Sequence, residues 1–287
     1  MAEFWLGASP ITWGNSQPMA ETLPQIAQVG FVGAPAGYQA GADPAETHAL
    51  FASADLKPAP GYLGANFHVA DEREKILEQA RLHADFSRAL GLSQLFVAEH
   101  TFAARNAVAG HETANREDQL SAEGYRTMAD TLNRVGEICR ERGVQACYHN
   151  HAGSYVETTD ELDRILALTD PALVFIGLDT GHLAYGGGDV ADFCRANAPR
   201  IKALHLKDVN HAVLTQARAQ KWSYREAQDH GLWAELGEGI VDFPSSFASL
   251  RAAGYTGWVI AEIDRTMLPT PFDSIRHSYN YLRRLIG

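Results

Sequence analysis

Short apolar runs alternate with longer amphipathic stretches along the whole chain, in the manner of strands and helices taken in turn. Residues 4–10, 31–36, 57–63, 94–98, 144–149, 173–178, 201–206 and 258–261 read as strands. Residues 19–29, 44–54, 71–90, 121–142, 158–168, 190–198, 243–253 and 271–286 read as helices. The clearest helix is 71–90, where Ile76, Leu77, Ala80, Leu82 and Ala84 keep close to a 3.6 period before Gly91 stops it. Gly30, Gly143 and Gly254 end others in the same way, and Thr159 reads as an N-cap.

Eight strands each followed by a helix, with no break in composition, predict one domain over 1–287: an α/β fold, the (β/α)8 TIM barrel with an eight-stranded parallel sheet. Two connections are long, 99–119 after strand four and 209–242 after strand seven. The second carries a helical stretch of its own, 213–228. Both leave C-terminal strand ends, the face on which such barrels do chemistry, and both are expected as pocket walls.

At 287 residues the length suits one barrel, and 46% hydrophobic with 21% charged residues suits a sizeable core. The net charge of −11 disfavours nucleic acid and anionic membrane as partners and leaves a small molecule as the expected one. Three scattered cysteines, Cys139, Cys147 and Cys194, make neither a disulfide framework nor a CxxC knuckle. The start, MAEFWLGASPITWGN, lacks the basic and apolar segments of a signal peptide, and no apolar run reaches membrane-spanning length. A cytoplasmic location follows as an expectation; a homo-oligomer is compatible with it.

Composition does not name the chemistry, but the strand ends do. CYHNH places His149 and His151 two apart on an extended segment, hence on one side. IGLDTGH ends on Asp179 with His182 three residues on; ALHLKD gives His205 and Lys207; VIAEID gives Glu262 and Asp264. Singly, each has a structural explanation as a core histidine or a helix N-cap. Together at one barrel mouth, converging acids are costly to desolvate and call for a cation or a bound substrate. Two carboxylates with two imidazoles form a mixed O/N donor set, which suits Mn²⁺ or Co²⁺ best, with Mg²⁺, Fe²⁺ or Zn²⁺ as alternatives. Trp13, Phe102 and Trp222, aromatic residues at loop positions, are candidates for an apolar stacking wall of the pocket or for core packing.

Longer blocks carry a family resemblance from end to end: ASPITWGN, FVAEHT, CYHNHAGSYVET, TDPALVFIGLDTGHLAYGGGD, RIKALHLKDV, LGEGIVDF and GWVIAEID. The chain resembles the xylose-isomerase-like barrels of sugar isomerases and epimerases, and within them the inosose (2-keto-myo-inositol) dehydratases. The resemblance implies a metal held by His149, Asp179, His205 and Glu262, and a substrate contacted by His182, Trp13 and Asn15. Many isomerases of the superfamily have glutamate at the strand-five position. Histidine there removes one of two facing carboxylate bases and suits elimination of water better than inversion of a carbon. The dehydratases also have G-x-E-x-G at strand two, where this chain has Gly33-Ala34-Pro35-Ala36-Gly37, so a pocket acid is replaced by proline.

The expected activity is that of a metal-dependent lyase acting on a keto-cyclitol or keto-sugar. Glu262 or Glu99 removes the α-proton, and Lys207 or His151 protonates the departing β-hydroxyl. Three alternatives share the site: a sugar isomerase or epimerase, a lyase cleaving 3-keto-glycosides, and a non-catalytic sugar-binding barrel.

Overall fold

The computed structural model describes residues 3–14, 17–111 and 119–287. Its main sheet is a run of nine hydrogen-bonded segments. The segments at its two ends, Lys57–Ala59 and Tyr62–Ala65, are two halves of one extended stretch bent at Pro60-Gly61. One half pairs with strand two and the other with strand four, and Phe96 N donates to Gly61 O at 3.0 Å across the bend. The sheet therefore closes into the expected eight-stranded parallel barrel. Its strands are β1 (Glu3–Ala8), β2 (Gly33–Pro35), β3 (Lys57–Ala59 with Tyr62–Ala65), β4 (Gln94–Glu99), β5 (Gln145–Tyr148), β6 (Val174–Asp179), β7 (Ile201–Leu206) and β8 (Thr256–Ala261).

Strand parity sorts the side chains. Leu95, Val97, Ala146, Tyr148, Ile176, Leu178, Leu204, Leu206, Val259 and Ala261 face outward and join the large core shared with the helices. Ala59, Phe96, Cys147, Ala203, Trp258 and Ile260 face inward and fill the barrel as a separate small cluster. Room for these large rings comes from glycine. A Cβ on Gly177 would stand 2.6 Å from Phe96 Cδ1, and one on Gly33 would stand 2.4 Å from Trp258 Cη2. The same inward parity, carried on toward the C-terminal ends, aims residues 149, 179, 205 and 262 at the barrel mouth.

The helices form for local reasons that the chain spells out. Ser121 accepts from Gly124 N at 3.0 Å to open Ala122–Glu141, whose buried stripe runs Tyr125, Met128, Ala129, Leu132, Val135 and Cys139. The helix Thr159–Leu168 is capped one residue earlier than expected. Thr158 is the cap, in a reciprocal capping box with Glu161.

The long connections differ more from expectation. The stretch read as one helix over 213–228 is two, His211–Gln220 and Tyr224–Asp229. Lys221 takes a left-handed conformation (φ 56°) between them, and Ser223 and Glu226 form a fresh capping box. A short antiparallel ribbon, Asp208–Val209 with Trp233–Ala234, closes the base of this excursion. An additional helix, Thr180–Tyr185, follows β6 directly. Among the described residues no helix is long and apolar enough to cross a membrane.

Candidate active site

A cavity of about 520 Å³ opens at the C-terminal mouth of the barrel, lined among others by Tyr62, His149, His151, His205, Lys207, Glu262 and Asp264. Asp179 lies beneath them, fully buried at the end of β6. Its backbone is clamped from β5: Asn150 Nδ2 donates to Asp179 O at 3.1 Å, and Asp179 N donates to Asn150 Oδ1 at 3.0 Å. Its carboxylate Oδ1 accepts from His182 N at 2.9 Å and so caps the short helix that follows. A second reciprocal clamp holds Lys207, with Thr180 Oγ1 donating to Lys207 O at 2.7 Å and Lys207 N donating to Thr180 Oγ1 at 3.0 Å. Neither Asn150 nor Thr180 was an expected site residue, although each stands inside a motif read from the sequence, HNH and DTGH.

Lys207 is the hub. Its Nζ lies 2.5 Å from Glu262 Oε1, 3.1 Å from Asp264 Oδ1 and 3.3 Å from Asp179 Oδ2, almost fully buried. Burial alone would depress this ammonium; the three carboxylates outweigh it and hold it well above the ordinary lysine value. Burial likewise favours a neutral Glu262, but His205 and Lys207 overcome that and keep its carboxyl well below the usual range. Burial pushes Asp179 up to about 6 against the pull of Lys207, and raises Asp264 too. His149 and His182 are held well below the usual imidazole range, first by burial and then by neighbouring imidazoles and Lys207.

The donor set fits a divalent cation. Asp179, His205 and Glu262 each offer a ligand atom within 4.8 Å of the others, and so do His149, Asp179 and His182. The two triads share Asp179, and the His149 and His205 ring centroids are 5.0 Å apart. Both nitrogens of His205 and Nδ1 of His149 are buried without a hydrogen-bond partner among the described residues. His205 Nδ1 stands 3.1 Å from Glu262 Oε2 without hydrogen-bond alignment. Bare imidazole nitrogens facing carboxylate oxygens are what a shared cation would satisfy. All four residues expected as ligands are in these triads, and His182, expected at the substrate, joins one of them.

Other expectations fall differently. Glu99 faces away from the cavity. It shares the outward parity of Leu95 and Val97, accepts from Phe67 N at 3.0 Å and pairs with His68 Nδ1 at 2.7 Å, so it ties down the connection after β3. His151 does line the cavity, but its Nδ1 lies 2.7 Å from Ala152 O, an atom that can only accept. Nδ1 therefore carries the proton, and Nε2 presents a lone pair rather than the donor expected. Burial lowers this imidazole to about 4, which keeps it neutral. Trp13 stands outside the cavity lining, with Nε1 donating to Gln25 Oε1 at 3.1 Å. Asn15 lies outside the described residues. Phe102 packs on Tyr155 and Trp222 on His230, so neither forms the expected stacking wall. Tyr38 and Tyr62 supply aromatic surface instead. Pro35 lines the cavity, so the change from an acid at strand two is a change in the pocket itself.

The xylose isomerase-like TIM barrel family model matches residues 25–285, nearly the whole chain. The chain belongs to that family. Among its curated relatives is the inosose dehydratase of Geobacillus kaustophilus (strain HTA426), 30% identical over 292 residues that cover 99% of this chain and 95% of that protein. Solved family-like structures include a sugar phosphate isomerase/epimerase from Parabacteroides distasonis ATCC 8503, with TM-score 0.73, 16% identity and full coverage of both chains. The 3-keto-D-glucoside 4-epimerase of E. coli superposes with TM-score 0.72 at 16% identity, covering 98% of this chain and 100% of that one. The family resemblance read from the motifs is thereby borne out, as is the expectation of an enzyme of the lyase or isomerase and epimerase kind.

Proposed function

We propose that this protein is a divalent-metal-dependent lyase that removes water from a keto-cyclitol or keto-sugar. One observation carries the reading: His205 and Glu262 of the triad line a cavity of about 520 Å³, Asp179 lies beneath them, and all three gather around a buried, charged Lys207. The 30% identity to an inosose dehydratase along nearly all of the chain supports the same reaction type.

Asp179, His205, Glu262 and His149 would hold the ion, and the mixed O/N set favours Mn²⁺ or Co²⁺. When bound, such an ion polarises a ketone and acidifies the neighbouring C–H. Glu262 takes the α-proton. Lys207, a charged donor in the same pocket, gives a proton to the β-hydroxyl, and the C–O bond breaks to release water and leave an enone. The 2.5 Å contact from Lys207 Nζ to Glu262 Oε1 then returns the captured proton to Lys207 and resets the pair. His151 Nε2 accepts a hydrogen bond from a substrate hydroxyl, and the acid-free wall at Pro35 makes no contact of that kind.

The Mn²⁺-loaded protein, incubated in D₂O with 2-keto-myo-inositol and related keto-sugars, is expected to give a product lighter by one water with an ultraviolet enone band. A product of unchanged mass carrying deuterium at an inverted carbon would replace this reading by an epimerase.

A further inference from the structure

The catalytic cavity is sorted around the barrel. Its charged and imidazole side chains, His149, His151, His205, Lys207, Glu262 and Asp264, all stand just past the ends of β5, β7 and β8. The other side comes from β1, β2 and β3 and their ends, with Ile11, Pro35, Tyr38, Pro60 and Tyr62. Six large hydrophobic side chains are exposed among the described residues, and two of them, Ile11 at 38% and Tyr62 at 39%, stand on this side. Exposed apolar groups gathered at a cavity mark a surface that a ligand covers.

Backbone contacts fix the apolar side. Ala36 N donates to Ala59 O at 3.0 Å and ties the end of β2, with Pro35, to β3. At the bend of β3 a Cβ on Gly61 would stand 2.5 Å from Gly37 Cα, so glycine is what lets the two backbones approach. The Tyr62 ring meets His149 edge-on at 5.3 Å between centroids, where the apolar and ionic sides join. Pro35 and Pro60 have no N–H to offer a ligand. The polar groups here are hydroxyls and one amide: the two phenols, Gln39 at the exposed rim, and Ser9, whose N–H donates to Ala261 O at 2.8 Å beside Glu262. Across the cavity, Lys207 is the only Lys or Arg in the lining among the described residues. Its ammonium is already shared by Glu262, Asp264 and Asp179. No basic side chain is left to pair with a phosphate or carboxylate on the substrate.

We propose that the substrate is an uncharged keto-cyclitol with an apolar edge: the ring carbon opposite its carbonyl lacks a hydroxyl or carries it as a methyl ether, and Ile11 and Pro35 select for this. The proposal rests on the lyase reading above and deepens it by naming the substrate class. With a C2 carbonyl turned to the ionic side, C5 faces Ile11 and Pro35. A free hydroxyl there leaves water without gaining a partner, whereas a methylene or methyl group buries apolar surface. C5 takes no part in the elimination. The proton leaves C1 or C3 and its electron pair forms the new double bond. The hydroxyl leaves C6 or C4 as water with a proton from Lys207, and nothing is oxidised or reduced.

The test measures kcat/KM of the Mn²⁺-loaded protein on 2-keto-myo-inositol and on its 5-deoxy, 5-O-methyl and 5-phosphate derivatives. The 5-deoxy compound is expected to exceed the parent at least about fivefold, and the 5-O-methyl compound about threefold or more. The 5-phosphate should fall at least about a hundredfold below the parent. Ile11→Asn, a change at an exposed position, and Pro35→Glu, which restores an acid to the wall, should each bring the 5-deoxy preference to within about twofold of unity or reverse it. A parent turned over as well as both apolar derivatives, a 5-phosphate turned over as well as the parent, or preferences unchanged in both variants overturns the proposal and leaves the lyase standing. If none of the four is turned over, the lyase reading fails, and isothermal titration with the same four compounds decides the apolar side alone. Tighter binding of the 5-deoxy compound than of the parent, lost in Ile11→Asn, upholds it; equal, weaker or no binding overturns it.

Discussion

Lys207 Nζ and Glu262 Oε1 meet at 2.5 Å, and that contact joins two strand ends, β7 and β8, at the floor of the catalytic cavity. The ammonium also faces Asp179 and Asp264, so one positive charge is the shared counterion of three buried carboxylates. Removing one partner of such a group leaves uncompensated charge, at a cost of roughly 3–5 kcal/mol. Lys207→Met is expected to destabilise the metal-free protein by that order in urea titrations and to lower turnover by at least about a thousandfold. Because a divalent ion would supply the missing positive charge, Mn²⁺ should restore much of the stability and none of the turnover. A Lys207→Met protein as stable as wild type without metal would contradict this counterion role.

A second prediction concerns acid stability away from the site. His83 lies on the helix Arg73–Ala89 and is buried with its ring against Tyr38. Its Nδ1 has no partner among the described residues, and burial lowers its imidazole to about 4. The unfolded chain holds a proton there below about 6.5 while the folded chain does not. Stability contributed by neutral His83 is therefore present above pH 6.5 and lost as pH falls from there toward 4. His83→Gln should remove up to one proton from the slope of unfolding free energy against pH in that window, at most about 1.4 kcal/mol per pH unit. Equal slopes for the two proteins would show that His83 titrates normally.

The barrel interior makes a third prediction. Gly177→Ala places a Cβ 2.6 Å from Phe96 Cδ1 and 2.9 Å from Cys147 O. The ring is locked in the small inner cluster, so relief requires movement of β6, which carries Asp179. Overpacking of this kind costs about 1–3 kcal/mol. Thermal unfolding should register that loss, and turnover should fall with it because Asp179 moves. Wild-type stability would mean that the inner cluster yields more easily than its packing implies.

The fold was legible because turn residues and strand–helix alternation agree along the chain, and the site was legible where a polar residue ends an apolar strand. His149, Asp179, His205 and Glu262 are such residues, and inward parity brings them together. Glu99 also ends an apolar strand, yet it points outward. Both faces of β4 are buried, so hydrophobicity does not alternate and the sequence does not reveal which parity faces in. The break at Lys221 depends on a left-handed residue that is not glycine; the Ser223-x-x-Glu226 capping box was the readable signal for the new helix. The tautomer of His151 is set by the carbonyl of Ala152, a contact made by backbone geometry rather than by residue type. The clamps by Asn150 and Thr180 join different strands and emerge only once the barrel closes.

The proposed mechanism rests on one shared cation among these strand ends. Mn²⁺ titration followed by electron paramagnetic resonance, on chelated and reloaded wild type beside Glu262→Gln and Asp179→Asn, tests it most directly. One bound Mn²⁺ per chain in wild type, with affinity weakened at least about tenfold in both variants and turnover abolished, is the expected result. Full activity after exhaustive chelation, or Mn²⁺ affinity unchanged in Asp179→Asn, would contradict it.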